Sequence, residues 1–180
     1  MISAVIATLN DGSRLTATLA ALAPAAMDGL VSEVIVRDAG STDGTLEVAE
    51  DAGATVVSGA RDLAGAFEVA RRPWLLILAA GARPRVGWEA AARAHMRDHP
   101  GKAGWFDFAL AGPGLGPRLD EVAAWFESGV LARPRPAQGL LISKDVLTVI
   151  GPGGSHDDIV RQLGRGRLRR LGVRALMDTG

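Results

Sequence analysis

Hydrophobic positions along the chain gather into short runs separated by polar stretches of helical spacing. Residues 2–7 (ISAVIA) form one such run, and Asn10, Asp11, Gly12 and Ser13 follow at once as turn and helix-capping types. The pattern predicts strand, loop, helix. Leu15, Leu19 and Leu22 then recur on one helical face, and Pro24 is expected to end that helix. Val34, Ile35 and Val36 make a second run, closed by the polar loop 38–43, after which Leu46, Val48 and Ala49 predict a helix ending near Gly53. A third strand is expected at 55–58, a helix at 61–70, and a fourth strand at Trp74–Leu78, which is apolar at every position. Such continuous runs belong to strands covered on both faces, as in a parallel sheet flanked by helices.

From residue 79 the alternation loosens. An Ala-rich helix is expected at 88–95, a strand at 103–110, a Gly/Pro connection at 111–117 and an amphipathic helix at 119–131 carrying Trp125 and Phe126. A further apolar run at 140–142 precedes a short helix to Ile150, a glycine-rich turn at 151–154, a helix from about Asp157 to Leu163 and an Arg-rich tail of strands or loops. Trp74, Trp105 and Trp125 fall in apolar patterns and are read as core, whereas Trp88 is a candidate for stacking on a sugar. His95 and His99 flank a helix end, where cations are favoured, and are read as structural.

The 180 residues fit one domain, and 48% hydrophobic content suffices for a core. Twenty basic residues cancel twenty acidic ones, so no global field marks a nucleic-acid binder. The absence of cysteine excludes disulfides, thiolate zinc sites and thiol nucleophiles. The start lacks a basic flank and long apolar run, and no stretch reaches the roughly 20 apolar residues that span a bilayer, so a cytoplasmic protein with no membrane segment is expected. The stretch after Leu171 is short for an acceptor lid or membrane-docking helix. A homo-oligomer or a partner protein stays open.

In an open parallel sheet, ligands bind beyond the carboxyl ends of the strands. The segment VIVRDAGSTDGT (34–45) delivers a carboxylate from an apolar strand, then small residues, then a second carboxylate entering a helix. It resembles the nucleotide-binding loop of family 2 glycosyltransferases. The resemblance implies that Asp38, with Gly40 and Ser41, contacts a nucleotide, Asp38 accepting from the base, while Asp43 caps the next helix. The opening AVIATLND is similar to the family's first strand, with Ala7 where a proline is usual; Thr8 and Asn10 then lie near the nucleotide, or the Thr8 hydroxyl simply closes the turn.

WLLILAAGARPRVGW (74–88) resembles the family segment in which a strand ends in Asp-x-Asp or His-x-Asp, then Arg, then Gly-Trp. Arg83, Gly87 and Trp88 match, but Ala79 and Gly81 stand at the acidic positions. In the family those carboxylates hold a divalent cation against the diphosphate. No Mg or Mn cofactor is therefore expected, and Arg61 or Arg83 could pair with the diphosphate instead. AQGLLISKDVL (137–147) resembles a family strand whose Gln-Gly precedes an apolar run. SHDDIVRQLGR (155–165) resembles the helix start that carries the catalytic base, with Ser155 and His156 in place of Glu-Asp and Asp158 matching. His156, Asp157 or Asp158 could take the acceptor proton, or Ser155, Asp157 and Asp158 could be capping residues only.

The resemblance implies an α/β fold of GT-A type: a Rossmann-like three-layer α/β/α domain over 1–180, its sheet mostly parallel in a nucleotide-sugar half (1–88) and mixed in an acceptor-side half (89–180). Its ligand would be a nucleotide-diphosphate sugar, UDP-linked donors among the candidates, with the acceptor undefined. The implied activity is sugar transfer with inversion and without the usual metal site; the alternative is an inactive nucleotide-binding or protein-interaction module.

Overall fold

Two largely apolar and buried segments lie at the centre of one sheet: β1 (Ile2–Thr8), with Ser3 and Thr8 its polar residues, and β4 (Trp74–Ala79), paired in parallel from Ile2↔Trp74 to Ala7↔Ala79. The computed structural model describes residues 1–59, 62–111, 138–151 and 154–178. Between β1 and β4 come α1 (Gly12–Met27), β2 (Val31–Asp38), α2 (Thr45–Asp51), β3 (Thr55–Ser58) and α3 (Ala64–Val69). After β4 the chain forms β5 (Ala82–Pro84), α4 (Trp88–Asp98), β6 (Ala103–Ala111), β7 (Leu140–Ser143), α5 (Lys144–Ile150), α6 (His156–Leu163) and β8 (Leu168–Asp178). A 3-10 turn at Arg165–Arg167 leads into β8.

The described strands make an eight-stranded sheet of order β3-β2-β1-β4-β7-β6-β8-β5. The first four run parallel; β7 is antiparallel to both β4 and β6, β8 is parallel to β6, and β5 returns antiparallel on β8. This is the expected division into a parallel half and a mixed half.

Alternate residues of each central strand face opposite layers. Ile2, Ala4 and Ile6 pack with Leu15 and Leu22 of α1, Leu76 and Leu78 of β4, and Trp88 of α4. Val5, Ile35, Leu75 and Ile77 pack on the other face with Phe67 of α3, Leu140 and Ile159. Leu75, Leu76, Ile77 and Leu78 are at most 2% exposed, and burying each such side chain contributes about 1.5–3 kcal/mol relative to exposure. That explains why β4 is apolar on both faces.

Two boundaries differ from the sequence pattern. Pro24 lies inside α1, which continues to Met27. It removes one donor of the last turn, but its carbonyl still accepts from Asp28 N–H at 3.0 Å, so the helix passes through it. The helix expected at 61–70 is shorter, Ala64–Val69. The connection at 112–117 and the helix expected at 119–131, with Trp125 and Phe126, lie outside the described residues, as does Arg61.

Candidate functional site

The loops after β1 and β2 are laced together at the carboxyl end of the sheet. Asn10, in a left-handed conformation (φ 53°), donates its backbone N–H to Ser41 Oγ at 2.8 Å, and its side-chain Oδ1 accepts from Thr42 N–H at 2.8 Å. Asp11 N–H donates to Thr45 Oγ1 at 3.0 Å. The two loops are thereby joined into one platform.

Asp38 ends β2 with 1% exposure. Its Oδ2 accepts from Gly40 N–H at 2.9 Å and Ser41 N–H at 2.8 Å, and its Oδ1 accepts from the Ser41 hydroxyl. Burial alone would raise its pKa, but the Ser41 hydroxyl, the two backbone donors and the nearby Arg37 charge together hold it below the ordinary value. Gly40 supplies the positive φ of 101° that folds those donors back. Asp38 is thus the organiser of its own loop. Asp43 accepts from Thr45 N–H at 3.0 Å and from the Thr45 hydroxyl, which lowers its pKa. The N-cap residue itself is Gly44, one position later than the sequence pattern suggested. Thr8 is 4% exposed, and its hydroxyl has no hydrogen-bond partner among the described residues.

A cavity of about 180 Å³ opens beside this platform, on the other face of the sheet. Ala7, Arg37, Ile77, Leu78 and Ala79 line it from the strand ends, Leu63 from the approach to α3, and Ser155, His156 and Asp157 from the start of α6. It is smaller than the roughly 300–1,000 Å³ of a site that encloses a drug-sized ligand, so it suits one group of a larger molecule.

His156 is 8% exposed. Burial pushes its imidazole below the ordinary value, against the opposing pull of Asp157, whose Oδ1 lies 3.5 Å from Nδ1. Beyond that long Asp157 contact, neither ring nitrogen has a hydrogen-bond partner among the described residues, and both are shielded from solvent. Asp157 is 68% exposed at the rim of the same cavity. Asp158 accepts from Ser155 N–H at 3.0 Å and the Ser155 hydroxyl at 2.8 Å, and Ser155 Oγ accepts in return from Asp158 N–H at 3.3 Å, a capping box. Arg161 binds its other oxygen at 3.0 Å. The three residues therefore divide: Asp158 caps, His156 is enclosed, and Asp157 is accessible.

The β4–β5 turn carries Ala79 and Gly81, the positions at which the sequence resemblance implies metal ligands in the family. Ala79 lines the cavity with a methyl group, and Ala80 is buried in the opposite layer. Gly81 has φ 91°, and a Cβ built on it would lie 3.1 Å from Met177 Sδ. Its N–H donates to Thr18 Oγ1 at 2.8 Å and to the Arg14 carbonyl at 3.1 Å. Among the described residues no group of three or more His, Cys, Asp or Glu side chains converges on a point. Ala79, Ala80 and Gly81 offer no side-chain ligand of their own.

Arg83 lies in β5 opposite Leu176 of β8 and is not one of the cavity's lining residues. Trp88, read from the sequence as a stacking candidate, is instead 1% exposed in the core, edge-on to Phe106 with centroids 6.2 Å apart. His95 is buried as well, its Nε2 at 2.9 Å from the Lys102 carbonyl; desolvation lowers its pKa, so it is not the helix-end cation that its position suggested. Arg37 was missed by sequence reasoning. The period of two in VIVRD carries the signal, since it turns Arg37 away from Asp38 and toward the cavity.

Residues 3–80 match the family model for glycosyl transferase family 2. That segment is similar to the family, over less than half of the chain. Solved structures extend the likeness in fold to the rest of the chain. Glucosyl-3-phosphoglycerate synthase from Mycobacterium tuberculosis, in complex with Mn2+, UDP and glucosyl-3-phosphoglycerate, matches with a TM-score of 0.65 at 19% identity over 99% of this chain and 70% of its own. The same enzyme with Mn2+, UDP-glucose and phosphoglyceric acid matches at 0.67 and 22% over 96% and 70%. A further mycobacterial protein matches at 0.67 and 23% over 100% and 65%. No curated protein matches the chain significantly. The fold is GT-A, as the sequence motifs implied. No helix among the described residues is long and apolar enough to cross a membrane.

Proposed function

We propose that the chain binds a nucleotide-diphosphate sugar over the carboxyl ends of β1, β2 and β4, and transfers the sugar with inversion and without a divalent cation. The observation that carries this reading is the cavity joining the end of β4 to the start of α6 within a family 2 fold. The laced loops, with Thr8, Asn10, Asp38, Gly40 and Ser41, form the nucleotide platform. Asp38 acts there by shaping the loop's backbone. Guanidinium groups supply the charge that a metal otherwise would, with Arg37 in the cavity wall and Arg61 and Arg83 as further candidates. Asp157 takes the proton of the acceptor hydroxyl, because its carboxylate is accessible at the cavity rim while the His156 nitrogens are shielded. UDP-glucose is the first donor to try, since the solved enzyme of the same fold is bound to it.

A specific observation favours a second reading, a binding or interaction module without transferase activity. Asp158, the position matching the family's catalytic helix start, is fully engaged by Ser155 and Arg161, and β4 ends without a carboxylate. Calorimetric titration with a panel of nucleotides and nucleotide sugars, in manganese and in chelator, decides among these. Binding of one nucleotide with equal affinity in both media is expected. A strong manganese requirement would overturn the metal-free site. Binding of none leaves the interaction module, and binding without turnover in a donor-hydrolysis or transfer assay makes the chain a nucleotide-binding module.

A further inference from the structure

The chain is neutral overall, yet its charge is divided along the sequence. From residue 38 to residue 60 there are five carboxylates and no basic residue; from residue 159 to residue 177 there are six arginines and no acidic residue. The fold sends these segments to opposite sides of the sheet. Helix α2 packs beside β3, the first strand of the order, whereas the arginines enter β8, the seventh. Six strand spacings separate β3 from β8, or about 29 Å at 4.8 Å each. That is about three Debye lengths at 0.1 M salt, so neither patch neutralises the other within one molecule.

Both patches are exposed. Glu47, Glu50 and Asp51 project from α2, and Arg165, Arg167 and Arg169 from the 3-10 turn and the start of β8. Arg161 and Arg170 are compensated by Asp158 and Asp107, but among the described residues no carboxylate pairs with the other three arginines of this turn. The acidic patch also carries a local cost. Glu50 and Asp51 occupy the last turn of α2, which has no basic residue, where the helix dipole disfavours negative charge. A cation from outside the molecule would relieve it. Beside Arg167 lies an open cleft of about 370 Å³, lined by Pro100, Gly101, Val146 and the 70% exposed Val149, with Asp145 as its one acidic residue, which gives the basic side a concave and mostly apolar seat.

We infer that the partner of each patch is the opposite patch on a second copy of this chain: α2 of one molecule docks against the Arg165–Arg169 edge of the next. Such a contact is head-to-tail rather than two-fold, so each added copy leaves one patch of each sign open until a ring closes or a chain extends. It is held by charge, so it is weak and salt-sensitive.

Sedimentation velocity on the full chain tests this at about 0.01 M and about 1 M salt, where the Debye length falls from about 30 Å to about 3 Å. The expected result is an average mass at least twice the monomer's at low salt, still rising with protein concentration, and the monomer mass at high salt. The triple variant Arg165→Glu/Arg167→Glu/Arg169→Glu should stay monomeric at low salt, as should Glu47→Lys/Glu50→Lys/Asp51→Lys. An equimolar mixture of the two variants should associate again. A monomeric native chain at low salt, association indifferent to either reversal, or a mixture that remains monomeric overturns the inference.

Discussion

The carboxylate of Asp38 holds three donors of its own loop, which determines what its loss should do. Asp38→Ala leaves those donors without their acceptor and should destabilise the fold by about 1–3 kcal/mol; it should also abolish nucleotide binding, because the platform loses its shape. Chemical denaturation and calorimetry measure the two effects, and unchanged affinity would show that the loop does not form the site. The pH dependence follows from the direction of its shift. The folded pKa lies below the ordinary 3.8, so the unfolded chain takes up the proton first on acidification. This stability is present above 3.8 and is lost as pH falls through the folded value, and the variant should flatten that part of the acid limb. For His156 the folded value is depressed below 6.5 by burial. Stability is then retained above 6.5 and lost as pH falls from there toward the folded value. His156→Leu should weaken the fall in urea midpoint between about pH 7.5 and about pH 5, while His95, depressed in the same direction, keeps part of it. An unchanged slope would show that His156 is solvated in solution. The identity of these residues was legible in the sequence, but their roles were not. Whether Asp38 faces a ligand or its own backbone depends on the turn that Gly40 permits, and His156 shares its cavity with Leu63 and Ala79, distant along the chain.

At the scale of elements, the β4–β5 turn separates two positions that a motif treats alike. Ala79 ends β4 with its methyl group on the cavity, so Ala79→Asp places a carboxylate in open space and should leave the melting temperature within a few degrees. Gly81 turns the chain at positive φ with Met177 against the place where a side chain would begin. Gly81→Asp should therefore cost at least about 1–2 kcal/mol from the left-handed backbone alone, with the Met177 contact adding to it. Thermal denaturation of the two variants makes the comparison, and equal melting temperatures would show that the turn yields readily. Restoring the pair of acidic positions thus requires remodelling this turn, which a reading of residue types alone does not disclose. The central strands were the readable ones: β1 and β4, buried on both faces, and the Val34–Val36 stretch of β2 announce themselves by apolar runs. The pairing of β5 with β8 was not readable, since three residues carry no period and the partner strand lies more than eighty residues away. Pro24 misled for a related reason, because a proline in the last turn of a helix gives up one hydrogen bond without ending the packing of its neighbours.

At the scale of the whole molecule, the family match covers residues 3–80, and the motifs imply a division into two halves near residue 88. The core does not respect that division. One apolar layer joins Ile6, Leu78 and Trp88 to Phe106, Leu141 and Ala175; the other joins Val5, Leu75 and Ile77 to Leu140, Ile142, Ile159 and Leu168. β4, the last long strand of the first half, has β7 of the second as its neighbour through four residue pairs from Trp74↔Ser143 to Ile77↔Leu140. A fragment of residues 1–88 would expose that edge together with Leu75 and Ile77, whose burial depends on chain beyond residue 138. We therefore expect the two halves to unfold as one cooperative unit, with equal calorimetric and van't Hoff enthalpies for the full chain. The isolated fragment should show no sharp thermal transition and should aggregate through the uncovered edge of β4. A fragment that melts cooperatively as a monomer would mean that the first half is a domain in its own right. The cavity between β4 and α6 would then lie at a domain junction and not within one core.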